Sequence, residues 1–162
     1  MIDQMLEPKH ESHSIDYFGN LSQLLRDLRG ITTLAHELIQ NADDAKDESG
    51  RLAAKEIVFD FRDDTLCVSN DAVFRAEDFK RIKVVSSGTK RDEAGARTTG
   101  AFGVGFMSVL QVTDNPEIYS AGQHWILHPE NHEDQRFVIF PDKSVEGTLF
   151  RLPWAFDKSS LR

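Results

Sequence analysis

The order of helical and strand-like segments constrains the fold of this chain more than any other feature of its sequence. Apolar residues recur every three or four positions in two runs separated by Gly30, which predicts helices over 20–30 and 32–46. Two β-rich runs at 56–61 and 65–69 flank a polar turn and predict a hairpin. A short helix, a glycine-rich loop, an apolar helix and a group of four strands follow; the short helix, the loop and the strands span 76–85, 86–100, 118–121, 125–128, 137–140 and 148–152.

This order lacks the alternation of strands and helices that builds a doubly wound parallel sheet. It predicts instead an α/β (α+β) two-layer sandwich, in which a mostly antiparallel mixed sheet carries helices on one face. The 162 residues are enough to bury one core without metal or disulfide support. We expect a flexible or loosely docked segment at 1–19, one domain at 20–155 with a mobile loop at 86–100, and a tail or the start of a linker at 156–162.

Charge and cysteine content exclude some classes of protein. The 19 basic and 27 acidic side chains give a net charge of −8, which argues against general nucleic-acid binding but allows a small anionic ligand at a local site. The single Cys67 lies in an apolar run and is expected to be a buried thiol, which suits a reducing compartment. No apolar stretch approaches the length of a membrane span, and the first residues lack the features of a secretory signal. We therefore expect a cytoplasmic protein without nucleic-acid or membrane partners.

The predicted helix at 32–46 carries a polar edge. Glu37, Asn41 and Asp44 fall within an arc of roughly 60°, beside an apolar arc formed by Leu34, Leu38, Ala42 and Ala45. A carboxamide oxygen can bind Mg²⁺, and a carboxylate one turn away can orient a water that attacks a phosphate. A solvated polar stripe explains the same pattern, so this helix alone leaves the choice open.

A glycine run, GAFGVGF at 100–106, leads into the apolar helix. Glycines let backbone N–H groups approach a phosphate, and a helix start adds unsatisfied donors and a favourable dipole. The run is not a P-loop, because no GK[ST] follows, and it is not a dinucleotide-binding turn, because no strand precedes it. Glycines that serve only tight packing are the alternative.

The end of the second predicted strand reads Ser69-Asn70-Asp71. A side chain at a strand end can reach a cleft, where an Asp could accept a hydrogen bond from an adenine amino group. Asn-Asp pairs also cap and turn chains without binding anything. Likewise, Gly147-Thr148 is either a turn or the source of a hydroxyl near the base.

Two further groups of residues have simpler interpretations. The histidines at 124, 128 and 132 recur at a spacing typical of metal ligands, but Pro129 interrupts any helix there, and no metal site is expected. Six aromatic residues are expected in the core: Phe59, Phe61, Phe137, Phe140, Phe150 and Trp154.

The motifs occur in a specific order: ELIQNADDA, then SND after a strand, then SGTK, GAFGVGF and EGTLFRLP. Over roughly 20–153, this order resembles the GHKL superfamily of gyrase, heat-shock-chaperone, histidine-kinase and MutL ATPases, which have the Bergerat fold. Within the superfamily, the chain is most similar to sacsin-like domains and to the chaperone N-terminal domain.

The resemblance implies a role for each motif. Glu37 would be the general base and Asn41 the Mg²⁺ ligand, with Asp44 at the second acidic position of the helix. The loop at 86–100 would be a lid over the phosphates. The residues expected to bind the nucleotide are Asn41, Asp44, Ala45, Asn70, Asp71, Phe74, Ser87, Gly88, Thr89, Lys90, Gly100, Ala101, Phe102, Gly103, Val104, Gly105, Phe106 and Thr148.

One motif departs from the family pattern. The adenine-binding segment of the family reads D-x-G-x-G, whereas this chain has Asn70-Asp71-Ala72-Val73-Phe74 and lacks both glycines. Position favours Asn70 as the residue that contacts adenine, and chemistry favours Asp71, so the choice stays open. Phe74 is expected to pack where the family has bare backbone.

The expected function is Mg²⁺-dependent binding of ATP or ADP with slow ATP hydrolysis, which drives a conformational change in a chaperone-like or sacsin-like protein. The alternative is a regulatory switch that binds nucleotide and hydrolyses little. Besides the nucleotide, the expected partner is a protein or client reached through further domains, and a homodimer is left open.

Overall fold

The computed structural model describes residues 23, 30–47, 49–86 and 104–155. Most of the predicted first helix, nearly all of the predicted lid and both predicted terminal segments lie outside these ranges. Within them, every helix falls short of the length and hydropathy that a membrane-spanning segment requires.

Three helical segments match predicted helices. They are α1 (Ile31–Asp43), α2 (Ala76–Ser86) and η1 (Val104–Gln111). α1 ends three residues before the predicted end, because the next backbone groups pair with the segment that follows: the N–H of Asp47 donates to the Arg51 carbonyl at 2.8 Å, and Lys46 forms an antiparallel bridge with Leu52. η1 is a 3₁₀ helix, and its residues 106–110 are all buried.

The sheet has six strands in the order β1-β2-β6-β3-β4-β5. The strands are β1 (Ile57–Phe61), β2 (Thr65–Asn70), β3 (Glu117–Ser120), β4 (Gln123–Leu127), β5 (Phe137–Pro141) and β6 (Thr148–Pro153). All five strand pairings among the described residues are antiparallel, which confirms the predicted hairpin and the antiparallel α+β architecture. The sheet was predicted to be mixed, but none of these pairings is parallel.

The core lies between one face of the sheet and the helices. Alternate strand residues point to this face, as the period of a strand requires. The cluster includes Leu34, Leu38, Val68, Phe79, Ile82, Phe106, Leu110, Trp125, Phe150 and Leu152. Burying such large apolar side chains contributes about 1.5–3 kcal/mol each.

The aromatic core prediction is only partly correct. Phe150 is buried, and Phe59, Phe137 and Trp154 are partly buried against the core. Phe61 and Phe140 are 65% and 47% exposed. Phe61 is the last residue of the edge strand β1, and Phe140 lies on the face of β5 opposite the core, with its ring centroid 5.8 Å from that of His124. The predicted burial of Cys67 is confirmed.

The opposite face of the sheet carries a polar cluster at its centre. The Glu117 carboxylate accepts hydrogen bonds from the Tyr119 hydroxyl at 2.8 Å and from Arg151 at 2.5 Å, and it contacts His124 Nε2 at 3.0 Å. The Tyr119 and His124 rings stack with their centroids 4.0 Å apart. Burial, and then the hydrogen bond to the Glu117 carboxylate, raise the pKa of Tyr119 to about 12.

This raised pKa predicts a distinct titration. Subtracting the tyrosinate absorbance of Tyr119→Phe from that of the wild type should leave a component with a pKa of about 12, and Glu117→Gln should move it towards the ordinary 10.0. Because the pKa of Tyr119 is raised in the folded protein, the stabilisation that its protonated hydroxyl gives to the fold is fully present below pH 10.0 and declines as the pH rises towards about 12. A Tyr119 titration with a pKa near the ordinary 10.0 in the wild type would contradict this cluster.

Candidate functional site

The polar edge of α1 meets the glycine run at the start of η1. The Glu37 carboxylate lies so close to the backbone of Gly105 that a Cβ atom there would be 1.7 Å from Glu37 Oε2 and 2.5 Å from its Cδ. Only glycine allows this approach. Two motifs that are 68 residues apart in the sequence are thus in direct contact.

A hydrogen bond also joins the start of α1 to the end of η1. The N–H of Gly30, which precedes α1 with φ 108°, donates to Oε1 of Gln111 at the end of η1, at 2.8 Å. Leu34 and Leu38 of α1 and Phe106 of η1 belong to one buried cluster. Gln111 was not singled out in the sequence, because a lone Gln at the end of an apolar helix forms no recognisable pattern.

The three polar residues of α1 differ in their access to solvent. Glu37 is half-buried, Asn41 is 3% exposed, and Asp44 is exposed just after the end of the helix. Ala45 was expected to face the core on the helix, but it lies beyond the helix and is half-buried. Its carbonyl accepts the N–H of Ala53 at 2.9 Å, so Ala45 begins the turn that follows.

The two candidate residues at the end of β2 hold different parts of the backbone. Asn70 is 9% exposed, and its Oδ1 accepts the N–H of Ala72 at 3.0 Å. Asp71 is exposed, and its Oδ1 accepts the N–H groups of Lys55 and Glu56 at 2.7 and 3.2 Å. These backbone hydrogen bonds lower the pKa of Asp71.

Two buried hydroxyl groups anchor the segment after β2 to the sheet. Thr148 Oγ1 donates to the carbonyl of Ala72 at 2.8 Å and lies 2.7 Å from Ser120 Oγ. Ser120 Oγ in turn accepts the N–H of Phe74 at 2.9 Å. Thr148 therefore lies beside Asn70, its partner in the adjacent strand, and anchors the segment after β2. Ser120 was missed in the sequence, because a single serine in a strand gives no signal.

Two aromatic residues of the predicted nucleotide-binding set contribute their rings to the core. Phe74 is 6% exposed, and its ring centroid lies 5.1 Å from that of Phe79 and 5.9 Å from that of Phe150. Phe106 is 1% exposed and lies 5.6 Å from Phe150. Any contact that they make with a ligand would come mainly from the backbone.

A groove of about 790 Å³ separates the turn after α1 from the segment after β2. Lys46, Asp47 and Ala53 line one side, and residues 71–77 line the other. Of the predicted site residues, Asp71 and Phe74 line this groove, whereas Glu37, Asn41, Asn70, Gly105 and Thr148 do not. Ser87, Gly88, Thr89, Lys90, Gly100, Ala101, Phe102 and Gly103 lie outside the described residues, and Val104 begins η1.

The three histidines at 124, 128 and 132 contact different residues. Their partners are Glu117, Asn115 and Asp134, respectively. In the described ranges, no group of three or more His, Cys, Asp or Glu side chains is arranged to hold a metal ion.

Comparison with known proteins identifies the family. A family model described as Sacsin domain matches residues 14–138. Sacsin of Homo sapiens is 32% identical over 126 residues, a match that covers 68% of this chain and 3% of that protein. Protein NO VEIN of Arabidopsis thaliana is 33% identical over 89 residues, covering 55% of this chain and 3% of that protein.

Solved structures agree on the fold. The crystal structure of the N-terminal domain of a DNA repair protein aligns with a TM-score of 0.53 and 16% identity, over 82% of this chain and 38% of that one. The fold is therefore an α+β sandwich shared beyond close relatives. The chain belongs to the sacsin domain family, which confirms the predicted resemblance to sacsin-like domains. It spans about 3% of the length of the curated relatives that it matches.

Gly147, which precedes Thr148, tests how tightly β6 packs against the end of β2. Gly147 has φ +88°, and a Cβ there would lie 2.3 Å from the Asn70 carbonyl oxygen, whereas Gly50 has φ +79° with nothing within 4 Å. Gly50→Ala should cost about 1–2 kcal/mol of unfolding free energy, from the backbone conformation alone. Gly147→Ala should cost about 2 kcal/mol more, from the added overlap. If denaturant titrations gave the same loss of unfolding free energy for both variants, the backbone of Gly147 would not be tightly packed against Asn70.

Proposed function

We propose that this domain binds ATP or ADP together with Mg²⁺ and hydrolyses ATP slowly. The observation that carries the proposal is the contact between the Glu37 carboxylate and the backbone of Gly105 at the start of η1. A glycine at a helix start leaves the backbone accessible to an anion, and the carboxylate lies where it can orient a water beside that anion. The order of motifs in a sacsin-family chain supports the same assignment.

The α1 side chains also fit the phosphate end of a nucleotide. Asn41 lies one helical turn from Glu37, and Asp44 follows the end of the helix. Carboxamide and carboxylate oxygens are the donors that Mg²⁺ prefers, and Asn41 is the residue that would hold the ion. When bound, Mg²⁺ would neutralise charge on the phosphate oxygens. Glu37 would then orient the attacking water and accept its proton.

For the base we favour Asn70 over Asp71. Asn70 lies on the helix-facing side of the sheet, opposite Thr148, whereas the Asp71 carboxylate holds the backbone that leads into β1. A carboxamide both donates and accepts hydrogen bonds, which matches the donor and acceptor pattern of an adenine edge. Asp71 would instead shape the groove wall.

The last part of the proposal is what the nucleotide cycle drives. Sacsin-family relatives are far longer than this chain, so a conformational change passed to further domains, and a client or partner reached through them, are part of the proposal. A switch that binds nucleotide and hydrolyses little would use the same pocket. The two functions differ in what Glu37 does.

Single-turnover ATP hydrolysis tests the role of Glu37. Glu37→Gln keeps the shape of the side chain but removes the base, so the rate should fall about 100-fold or more while the affinity for Mg·ATP changes little. His36→Ala is the matched control, because His36 is the exposed neighbour about 100° around the helix, and it should hydrolyse ATP at the wild-type rate. Equal rates for Glu37→Gln and the wild type would exclude the ATPase and leave the switch.

Calorimetric titration with ADP, with and without Mg²⁺, tests the base site. Asn70→Ala should weaken binding about tenfold or more, because it removes hydrogen bonds to a buried base. Asp71→Ala should bind ADP within a few-fold of the wild type. Asp71 also contributes to stability in a pH-dependent way. Because its pKa is lowered in the folded protein, Asp71→Ala should be less stable than the wild type near neutral pH, and this difference should vanish at acid pH, where the carboxylate is protonated. The reverse ranking of the affinities would assign base recognition to Asp71, and no binding by the wild type would refute the proposed function.

A further inference from the structure

Helix α1 takes the cap at its start from another element. Its N-cap residue is Gly30, which has no side chain, and its first turn holds no acidic residue. The start of a helix leaves backbone N–H groups without partners inside the helix. Gln111 of η1, 81 positions further along the chain, accepts the N–H of Gly30 with its Oε1 at 2.8 Å. Gln111 therefore does for α1 what a Glu or Gln in the first turn does in a capping box.

The Gln111 cap and the Glu37 contact lie at opposite ends of one interface. From Gly30 to Glu37, α1 rises about 10 Å, at about 1.5 Å per residue. From Gln111 back to Gly105, η1 spans about 12 Å, at about 2 Å per residue. The two elements therefore run antiparallel, and the two contacts close both ends of their interface.

Apolar packing and the hydrogen bond constrain this interface in different ways. The buried side chains of Leu34, Leu38 and Phe106 hold the two elements together, but apolar attraction is not directional. The hydrogen bond from Gly30 to Gln111 has a preferred length and angle, so it adds a constraint on where α1 lies along η1. Any movement of α1 along this axis carries the Glu37 carboxylate away from the backbone of Gly105.

We propose that Gln111 is a positioning residue, which acts through α1 on the Glu37 carboxylate. The consequence for the reaction rests on the proposed function, in which Glu37 orients the attacking water. A misplacement of about 1 Å in a reacting group can lower a rate about 100-fold. The ground-state affinity for the nucleotide does not depend on this alignment, so loss of the Gln111 cap should reduce hydrolysis far more than binding.

Variants that remove or keep the acceptor test this role. Gln111→Met keeps the length of the side chain but loses the amide oxygen, so single-turnover ATP hydrolysis should slow about tenfold or more while the Kd for Mg·ATP stays within a few-fold of the wild type. Gln111→Glu keeps an oxygen for the Gly30 N–H and adds a negative charge that the start of α1 favours, so it should restore the wild-type rate. Gln135→Met is the matched control, because Gln135 is exposed between β4 and β5, and it should hydrolyse ATP at the wild-type rate.

Backbone amide NMR spectra without nucleotide separate the positioning from the reaction. The Gly105 resonance should shift in Gln111→Met and stay near its wild-type position in Gln111→Glu and Gln135→Met. In the wild type, the Gly30 amide should exchange with solvent about tenfold or more slowly than in an unstructured chain, because it is hydrogen-bonded.

Each measurement can overturn the inference. A Gly30 amide that exchanges as in an unstructured chain would do so, as would a Gly105 resonance that Gln111→Met leaves in place. A Gln111→Met rate equal to that of the wild type, or a Gln111→Glu rate as low as that of Gln111→Met, would also overturn it. A wild type that hydrolyses no ATP would refute the proposed hydrolysis, and the Gly105 resonance would then still decide whether Gln111 sets the position of α1.

Discussion

The contact between Glu37 and Gly105 is the constraint on which the rest of the site depends. It joins the middle of α1 to the start of η1 across a long stretch of sequence, and it leaves no room for a Cβ atom. The apolar faces of both elements enter one core, so packing fixes the backbones that carry Glu37 and Gly105. A polar group positioned in this way by a rigid core is what a catalytic or ligand-binding residue requires.

Buried hydroxyl groups hold the segment after β2 in place. Where the related motif has two glycines, this chain has Ala72 and Phe74, and the Phe74 ring fills the core next to Phe150. Thr148 and Ser120 hold the backbone of this segment through buried hydrogen bonds. Side-chain hydrogen bonds thus fix the backbone path of this segment at positions where the related motif has glycine.

Local periodicity explains how much of this could be predicted. The helix of Leu34 and Leu38, the hairpin and the later strands follow from spacing alone, because the periods of helices and strands are properties of short segments. The contact of Glu37 with Gly105 and the Ser120 hydrogen bonds could not be derived in this way, since they join segments distant in sequence. The exposure of Phe61 and Phe140 could not be predicted, because an aromatic residue carries no sign of which face of the sheet it occupies or of whether it ends an edge strand.

The central claim is that one nucleotide lies between α1, η1 and the end of β2. Backbone amide NMR spectra recorded with Mg²⁺ and a non-hydrolysable ATP analogue test this claim most directly. We expect saturable shift changes concentrated at 37–45, 70–74 and 105–106, with 49–52 and the β5 strand unaffected. Unchanged spectra, or changes confined to α2 and β5, would contradict it.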